Sequence, residues 1–283
     1  MTNHKVGTRE EWQAARDELL VEEKTLTRRN DELAKKRRNL PWVPIEKEWS
    51  FETDGGSKTL EELLDGRSQL LIYHFMFGPV YEAGCPVCSS IADNIDPNVV
   101  HLRARDVTML LVSRAPLEKL QAFKDQMGWD IDWVSTAGSD FNRHLGFTHT
   151  EEELKPFLEG EIPRDVPRQA EMCGTDVAGY VAESSGLSAY ILSDGVVYRT
   201  YVTTARGLEP TMGYYSLPTA RRWVATRVTR GCSGSDATTS TRGRASGLQG
   251  ALCWRLPQSS PGRAGGRKVA GSDPVATAFR SGR

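Results

Sequence analysis

The sequence predicts an α/β fold in which a central mixed sheet is flanked by helices. Residues 69–77 are an uninterrupted apolar run of the kind that lies buried inside an α/β sheet. Segments with strand-like and helix-like patterns alternate after this run. Further along, two strand-like segments flank Ser193-Asp194-Gly195, which is a strong hairpin signal.

The first predicted element is a long charged helix over residues 8–38, an N-terminal extension of the sheet domain. Thr8 and Glu11 have the spacing of a capping box, and Pro41 and Pro44 end the helix. A thin apolar stripe runs along it, formed by Trp12, Ala15, Leu19, Leu20, Leu26 and Leu33. We expect this amphipathic helix to pack on the main domain. A coiled coil that binds a partner is the alternative.

The next segments predict the sheet and its helices. They are a strand at 49–53, a helical turn at 60–64, a strand at 69–77, a helix at 89–95, a strand at 107–112, a helix at 116–127, a strand at 131–134 and a short helix at 139–146. Residues 148–186 are acidic, contain prolines and have weak periodicity, so we expect an insertion of loop and irregular helix. Strands at 187–192 and 196–202 form the hairpin. A parallel βαβ half followed by a hairpin is the plan of a thioredoxin-like sheet.

The last quarter of the chain differs in composition from the rest. Residues 219–283 hold eleven Arg and one Lys against two Asp, a net charge of about +10, whereas residues 1–218 carry about −11. This segment has no sustained periodicity and cannot bury enough apolar surface to fold, so we predict a disordered basic tail over 218–283. The same composition is typical of an out-of-frame reading of a GC-rich gene, and we favour that frameshift origin. Nucleic-acid binding is expected only of a genuine tail.

The chain therefore divides into three predicted parts. Residues 1–44 are the charged helix and a linker, 45–217 the thioredoxin-like domain with its insertion, and 218–283 the tail. No apolar stretch reaches transmembrane length, and the first thirty residues are charged rather than signal-like. Five cysteines in 283 residues do not make a secreted disulfide framework. We expect a soluble, cytoplasmic protein that does not bind membranes.

Cys85-Pro86-Val87-Cys88 is the motif that carries chemistry. It follows the apolar run across a short loop and precedes a predicted helix. Helix N-terminal amides and the helix dipole stabilise a thiolate, and can bring a cysteine pKa to roughly 3.5–7.5. Pro86 suits the first helical position. In an intracellular protein with βαβ patterning, such a pair predicts dithiol redox chemistry. Two inert, half-buried thiols are the alternative.

The two cysteines have different expected roles. Cys85 is nearer the loop, so we expect it to be more exposed, more strongly favoured by the dipole, and therefore the attacking thiol. Cys88, one turn on, would resolve the mixed disulfide. Arg114 and Arg206 are candidates to supply positive charge near the thiolate, although each also suits a surface ion pair, which we favour.

Two further polar residues lie near the motif. Asp93, two turns beyond Cys85 on the same helix, is expected to be solvated rather than to relay protons. His74, inside the apolar strand, is expected to be a buried histidine with satisfied hydrogen bonds rather than a ligand or a base.

Other functions compete with the dithiol reading. A thiol peroxidase is the nearest, but such enzymes set a threonine three residues before their reactive cysteine, and here that position is Glu82. A zinc site would take Cys85 and Cys88 with Cys173 or a histidine, yet there is no second CxxC or paired histidine spacing in the domain. A non-catalytic thioredoxin-like binding module is the third alternative. We expect no cofactor and no metal.

Residues 8–217 resemble a mostly bacterial family of thioredoxin-like proteins named domain of unknown function 899, whose members are described as predicted dithiol-disulfide oxidoreductases. The resemblance implies a thioredoxin-like fold with Cys85 and Cys88 as the redox pair. Partners would then be a thiol or disulfide substrate and a cellular thiol reductant; oligomeric state is left open. The matching motifs are Asn39-Leu-Pro-Trp-Val43, Tyr73-His-Phe-Met-Phe-Gly-Pro79, Gly84-Cys-Pro-Val-Cys88, Ala92-Asp-Asn94, Val112-Ser-Arg-Ala-Pro-Leu-Glu-Lys119, Met127-Gly-Trp129, Gly138-Ser-Asp-Phe-Asn142 and Thr200-Tyr-Val-Thr-Thr-Ala-Arg-Gly207.

The chain departs from that pattern at two places. After Met212-Gly-Tyr-Tyr-Ser-Leu217 the family continues into an acidic and basic stretch, which Pro218-Thr-Ala-Arg-Arg-Trp223 replaces here. Thioredoxins also place a cis-proline just before the strand that faces CxxC, and residues 186–190 contain no proline. Broad activity on protein disulfides is therefore less strongly implied than the fold.

Overall fold

The structure is a computed structural model and describes residues 5–213. The tail predicted at 218–283 lies outside these residues, as does the departure that begins at residue 218. The helices are α1 (Arg9–Arg38), α2 (Pro86–Ile95), α3 (Val99–Arg103), α4 (Leu117–Met127), α5 (Phe141–His144), α6 (Glu151–Leu158), α7 (Asp165–Met172) and α8 (Val177–Val181). The strands are β1 (Val43–Pro44), β2 (Ser50–Thr53), β3 (Gly56–Thr59), β4 (Gln69–His74), β5 (Val107–Ser113), β6 (Asp132–Ser135), β7 (Gly186–Ser193) and β8 (Val196–Thr204). Short 3-10 turns occupy Glu62–Leu64, Asp96–Asn98 and Ala205–Thr211.

All eight of these strands belong to one mixed sheet in the order β1-β8-β7-β4-β5-β6-β2-β3. Strand β4 pairs parallel with β5, where Gln69 lies opposite Val107, and antiparallel with β7, where Gln69 lies opposite Ile191. Strand β8 then pairs antiparallel with β7. A parallel βαβ unit whose first strand also carries an antiparallel hairpin is the thioredoxin-like arrangement, which confirms the predicted fold.

Strand β4 lies near the middle of the sheet, and both of its faces are apolar. Leu70 and Ile72 enter the core on one side of the sheet, with the side chains of Leu110 and Val112. Tyr73 and the residues just beyond the strand join a second core on the other side, which holds both cysteines of the CxxC motif. A strand buried on both faces reads as a continuous apolar run, which is the pattern that identified it.

Helix α1 does not bury its apolar stripe on the domain, so that expectation was wrong. None of its residues is buried, and Trp12 is 63 % exposed. The predicted capping box is present, with the Thr8 hydroxyl accepting from the Glu11 amide at 3.2 Å. Trp12, Leu19, Leu26 and Leu33 recur only once every seven residues, and so narrow a stripe offers little surface to bury.

The segment predicted as an insertion forms three short helices, α6, α7 and α8. Thr150 and Glu153 make a capping box at α6, and the Asp176 carboxylate accepts from the Gly179 amide at 2.7 Å to begin α8. Leu154 and Tyr180 are buried in the same core as the CxxC motif. Helices of eight residues or fewer are too short to show a clear period, although they bury one face.

None of the helices within residues 5–213 combines the length and the apolar character that crossing a membrane requires.

Candidate active site

The CxxC motif lies just beyond the carboxyl end of β4, at the start of α2. Cys85 is the N-cap residue of this helix and Pro86 its first residue. Proline is well placed there because its missing N–H has no intrahelical acceptor. The Cys85 amide donates to the Met76 carbonyl at 3.1 Å, which fixes the loop beside the end of the strand. This placement of Cys85 agrees with the prediction from the strand, the loop and the helix.

The sulfur of Cys85 is not exposed, and here the prediction was wrong. Cys85 and Cys88 are each 1 % accessible. Helices α7 and α8 fold over them, and two contacts hold the loop before Cys85 against this cover. The Glu82 amide donates to the Cys173 carbonyl at 2.8 Å, and the Tyr81 hydroxyl donates to the Tyr180 carbonyl at 2.6 Å. We call Gln169, Cys173 and Tyr180, with the helices that carry them, the cover.

Three residues surround the Cys85 sulfur. Interaction with the Cys173 thiol, followed by that with the Cys88 thiol, holds the pKa of Cys85 well below its usual range. Burial opposes this shift, whereas the backbone amide of Cys88 and the Tyr180 hydroxyl, 3.6 Å from the sulfur, reinforce it. Cys85 is therefore the thiol of this cluster that ionises first.

The other two thiols are held protonated. Burial raises the pKa of Cys88, and its hydrogen bond to Cys85 raises it further. The bond that Cys173 makes to Cys85, followed by burial, raises the pKa of Cys173. The Met76 amide donates to the Cys88 sulfur at 3.4 Å, which partly opposes the rise in the pKa of Cys88. Because the thiolate is the nucleophilic form of a cysteine, Cys85 is the candidate nucleophile among the three.

The two arginines proposed to support the thiolate are paired with carboxylates. Arg114 contacts Glu183 at 2.8 Å, and Arg206 contacts Glu209 at 2.8 Å on the surface. Glu183 is buried, and its desolvation raises its pKa to about 7 despite the opposing effect of Arg114. Both arginines thus make the ion pairs that we favoured, and the structure gives their charges to carboxylates rather than to Cys85.

His74 is a satisfied core residue, as expected. Its ring nitrogens lie 3.2 Å from the Asn142 side-chain oxygen and 2.8 Å from the Ser188 hydroxyl. The ring stacks on Phe147 at a centroid distance of 3.9 Å. Burial lowers the pKa of His74 to about 3, so the ring is neutral at physiological pH.

Asp93 has a structural partner that sequence reasoning missed. Its carboxylate accepts a hydrogen bond of 2.9 Å from the indole of Trp129. It therefore fastens α2 to the segment that follows α4, and this contact replaces the solvated role that we expected.

No group of three or more His, Cys, Asp or Glu side chains within residues 5–213 is arranged to hold a metal ion.

Tyr180 and Gln169 are site residues that the sequence did not reveal. The Tyr180 hydroxyl also donates a hydrogen bond to the Gln169 side-chain oxygen, and both side chains are buried. Cys173 was considered only as a metal ligand. The cover reaches the CxxC motif through tertiary folding alone, so no local pattern near Cys85 points to it.

Three solved structures that are similar to this chain are remote from it in sequence. A mutant of Xylella fastidiosa PrxQ is 12 % identical, with 59 % of this chain and 87 % of that chain covered and a TM-score of 0.38. Peroxidoxin BcpB from Mycobacterium tuberculosis is 12 % identical, with coverages of 62 % and 95 % and a TM-score of 0.39. A putative thiol:disulfide interchange protein DsbE from Chlorobium tepidum is 9 % identical, with coverages of 62 % and 98 % and a TM-score of 0.34. No curated protein matches the chain.

Family membership rests on the sequence. The model of a family described as "Bacterial protein of unknown function (DUF899)" matches residues 1–220, which include the sheet, the CxxC motif and the cover. This is the family that the motifs around Cys85 indicate. The chain belongs to the DUF899 family of bacterial proteins.

Proposed function

We propose that this protein is a thiol-disulfide oxidoreductase in which Cys85 attacks and Cys88 resolves. The observation that carries the proposal is the asymmetry of the pair at the start of α2. The pKa of Cys85 is lowered by hydrogen bonds from neighbouring thiols, whereas burial raises that of Cys88. An attacking thiolate and a protonated partner one turn away are what dithiol exchange needs.

The proposed reaction conserves atoms and electrons. The Cys85 thiolate attacks one sulfur of a substrate disulfide, a Cys85–substrate disulfide forms, and the other substrate sulfur leaves as a thiolate. Cys88 then loses its proton and attacks the Cys85 sulfur, which releases the second substrate thiolate. The pair loses two electrons and the substrate gains them. A cellular thiol reductant restores the dithiol by the same steps in reverse.

Neighbouring groups favour these steps. When Cys85 enters the mixed disulfide, the thiolate that held the Cys88 proton in a hydrogen bond is gone, so Cys88 ionises more readily. Pro86 at the first helical position keeps the two cysteines one turn apart. Arg114 and Arg206 have no part in this scheme, because each is paired with a carboxylate.

The substrate is a thiol or a disulfide, and the scheme uses no cofactor and no metal. We place the pair in the cytoplasm, where thiols are kept reduced. There the pair would alternate between dithiol and disulfide rather than form a permanent structural disulfide. A thiol peroxidase remains the competing assignment within redox chemistry, but Glu82 stands where such enzymes set a threonine, and Glu82 binds the cover through its backbone.

The labelling rates of the individual cysteines test the proposal. We would treat the full chain with iodoacetamide at neutral pH and follow each cysteine by peptide mass spectrometry. Among Cys85, Cys88 and Cys173, Cys85 should react first, because thiolate fraction governs alkylation and, of these three, only Cys85 combines the helix start with a lowered pKa. Equal slow reaction at Cys85, Cys88 and Cys173 would contradict it.

A second test measures the reaction of the protein with oxidised glutathione in two matched variants. Cys85→Ser should abolish the rapid reduction of oxidised glutathione, whereas Cys88→Ser should still form the first mixed disulfide on Cys85. A binding module with inert thiols would show neither effect.

A further inference from the structure

A third buried thiol lies beside the proposed redox pair, and the CxxC scheme does not use it. Cys173 follows α7, is completely buried, and packs in the same core as Cys85 and Cys88. Backbone hydrogen bonds hold it in this position. The Cys173 amide donates to the Gln169 carbonyl at 3.0 Å, and the Cys173 carbonyl accepts from the Glu82 amide at 2.8 Å and the Ala83 amide at 3.2 Å.

These bonds join the segment that carries Cys173 to the residues just before Cys85. The backbone that carries Cys173 is therefore fixed beside the loop that leads into Cys85. The Tyr180 hydroxyl strengthens the arrangement, because it contacts the Cys85 sulfur and the Gln169 side chain. Cys173 and Cys88 thus lie near Cys85 on two different elements of the fold.

We propose that Cys173 is a second resolving thiol, which can close a Cys85–Cys173 disulfide between the cover and the CxxC helix. This inference rests on the proposed function of Cys85 as the attacking group. In the step, a Cys85–substrate disulfide already exists. Cys173 loses its proton and attacks the Cys85 sulfur, the Cys85–Cys173 bond forms, and the substrate sulfur leaves as a thiolate that takes up a proton. Two electrons pass from Cys85 and Cys173 to the substrate disulfide.

The new disulfide passes to the CxxC pair by a further exchange. Cys88 attacks the Cys85 sulfur, the Cys85–Cys88 bond forms, and Cys173 leaves as a thiolate. No external oxidant or reductant is needed for this exchange, because one disulfide replaces another. While the first disulfide lasts, it fastens α7 over the site. Cys173 thereby links the redox state of the pair to the position of the cover.

The test uses the full chain with Cys232→Ser and Cys253→Ser, so that three cysteines remain. Cys88→Ser is added, the protein is treated with oxidised glutathione, and free thiols are blocked before peptide mass mapping. We expect a Cys85–Cys173 disulfide and release of both glutathione halves. Cys88→Ser with Cys173→Ser is the matched control, in which the glutathione adduct on Cys85 should persist at least tenfold longer.

The outcomes separate this inference from the proposed function. A lasting glutathione adduct on Cys85 with Cys173 still free would overturn the role of Cys173 and leave Cys85 as the attacking thiol. No adduct or disulfide on Cys85 in any variant would overturn both proposals. Cys88→Ala repeats the experiment without a buried hydroxyl, and urea unfolding of each variant confirms that it is folded.

Discussion

The Tyr180 hydroxyl lies 3.6 Å from the Cys85 sulfur, although the two residues are 95 positions apart in the chain. That hydroxyl also hydrogen-bonds to the Gln169 side-chain oxygen. A hydroxyl carries a single proton, so it can donate to the amide oxygen or to the thiolate, but not to both at once. Ionisation of Cys85 favours donation to the sulfur. The cover therefore both buries the Cys85 sulfur and stabilises its negative charge.

Tyr180→Phe should slow the alkylation of Cys85 at neutral pH. Loss of the Tyr180 hydroxyl removes a donor to the Cys85 thiolate and therefore raises the pKa of Cys85. Because this charge-assisted hydrogen bond is long, we expect its loss to lower the alkylation rate by roughly three- to tenfold. Tyr81→Phe is the matched control, since it removes a buried hydroxyl that bonds to the Tyr180 carbonyl instead of a thiol. Equal slowing in both variants would assign the effect to packing.

Gly84→Ala should destabilise the fold and displace Cys85. A Cβ at this position would lie 2.7 Å from the ring of Phe75, which is buried and cannot move away freely. Overpacking of this kind costs about 1–3 kcal/mol of unfolding free energy. Gly55→Ala is the control, because its nearest atom would be 3.8 Å away and the site is exposed. Urea denaturation compares them, and similar midpoints would count against the predicted clash.

His74 should make stability depend on pH in the acid range. The unfolded chain protonates this ring near pH 6.5, whereas the folded protein does so only near pH 3. The unfolded state therefore binds more protons between these values, so the contribution is complete above pH 6.5 and is lost as the pH falls towards 3. Unfolding free energies at pH 7 and pH 4.5 should differ more for the wild type than for His74→Gln. The same dependence in both proteins would refute the prediction.

Trp12→Ala should leave stability almost unchanged. The side chain is 63 % exposed on a helix with no buried residue, so the expected change is within about 0.5 kcal/mol. Trp133→Ala is the contrasting variant, because Trp133 is buried in the core beside the CxxC motif and its loss should cost about 3–5 kcal/mol. A large effect of Trp12→Ala on thermal unfolding would show that α1 packs against something.

The sequence predicts those parts of the fold that local patterns determine. The run at 69–77, the hairpin at Ser193-Asp194-Gly195 and the position of Pro86 each depend on residues close in the chain. The structure confirms the hairpin and the position of Pro86, and it places a strand in the run, although this strand ends at His74 rather than at residue 77. The burial of Cys85 could not be predicted in this way. It depends on short helices that show no period and meet the motif only after the chain has folded.

The same distinction explains the remaining differences. A capping box at Thr8 is a local signal and was found, whereas the surface that α1 leaves exposed depends on the rest of the domain. The hydrogen bond between Trp129 and Asp93 joins distant segments of the chain, and such a contact cannot be predicted from either residue alone. The CxxC spacing predicts redox chemistry from residues close in the chain, whereas no local pattern near Cys85 points to Cys173 or Tyr180.

The most direct test of the account is a redox titration of the Cys85–Cys88 pair in glutathione buffers. The full chain with Cys232→Ser and Cys253→Ser would be equilibrated at a series of ratios, blocked and mapped by mass spectrometry. We predict reversible closure of a disulfide at Cys85 with one midpoint, reached from the oxidised and from the reduced side, and its absence in Cys85→Ser. Cysteines 85 and 88 that remain free thiols at every ratio would contradict the proposed dithiol function.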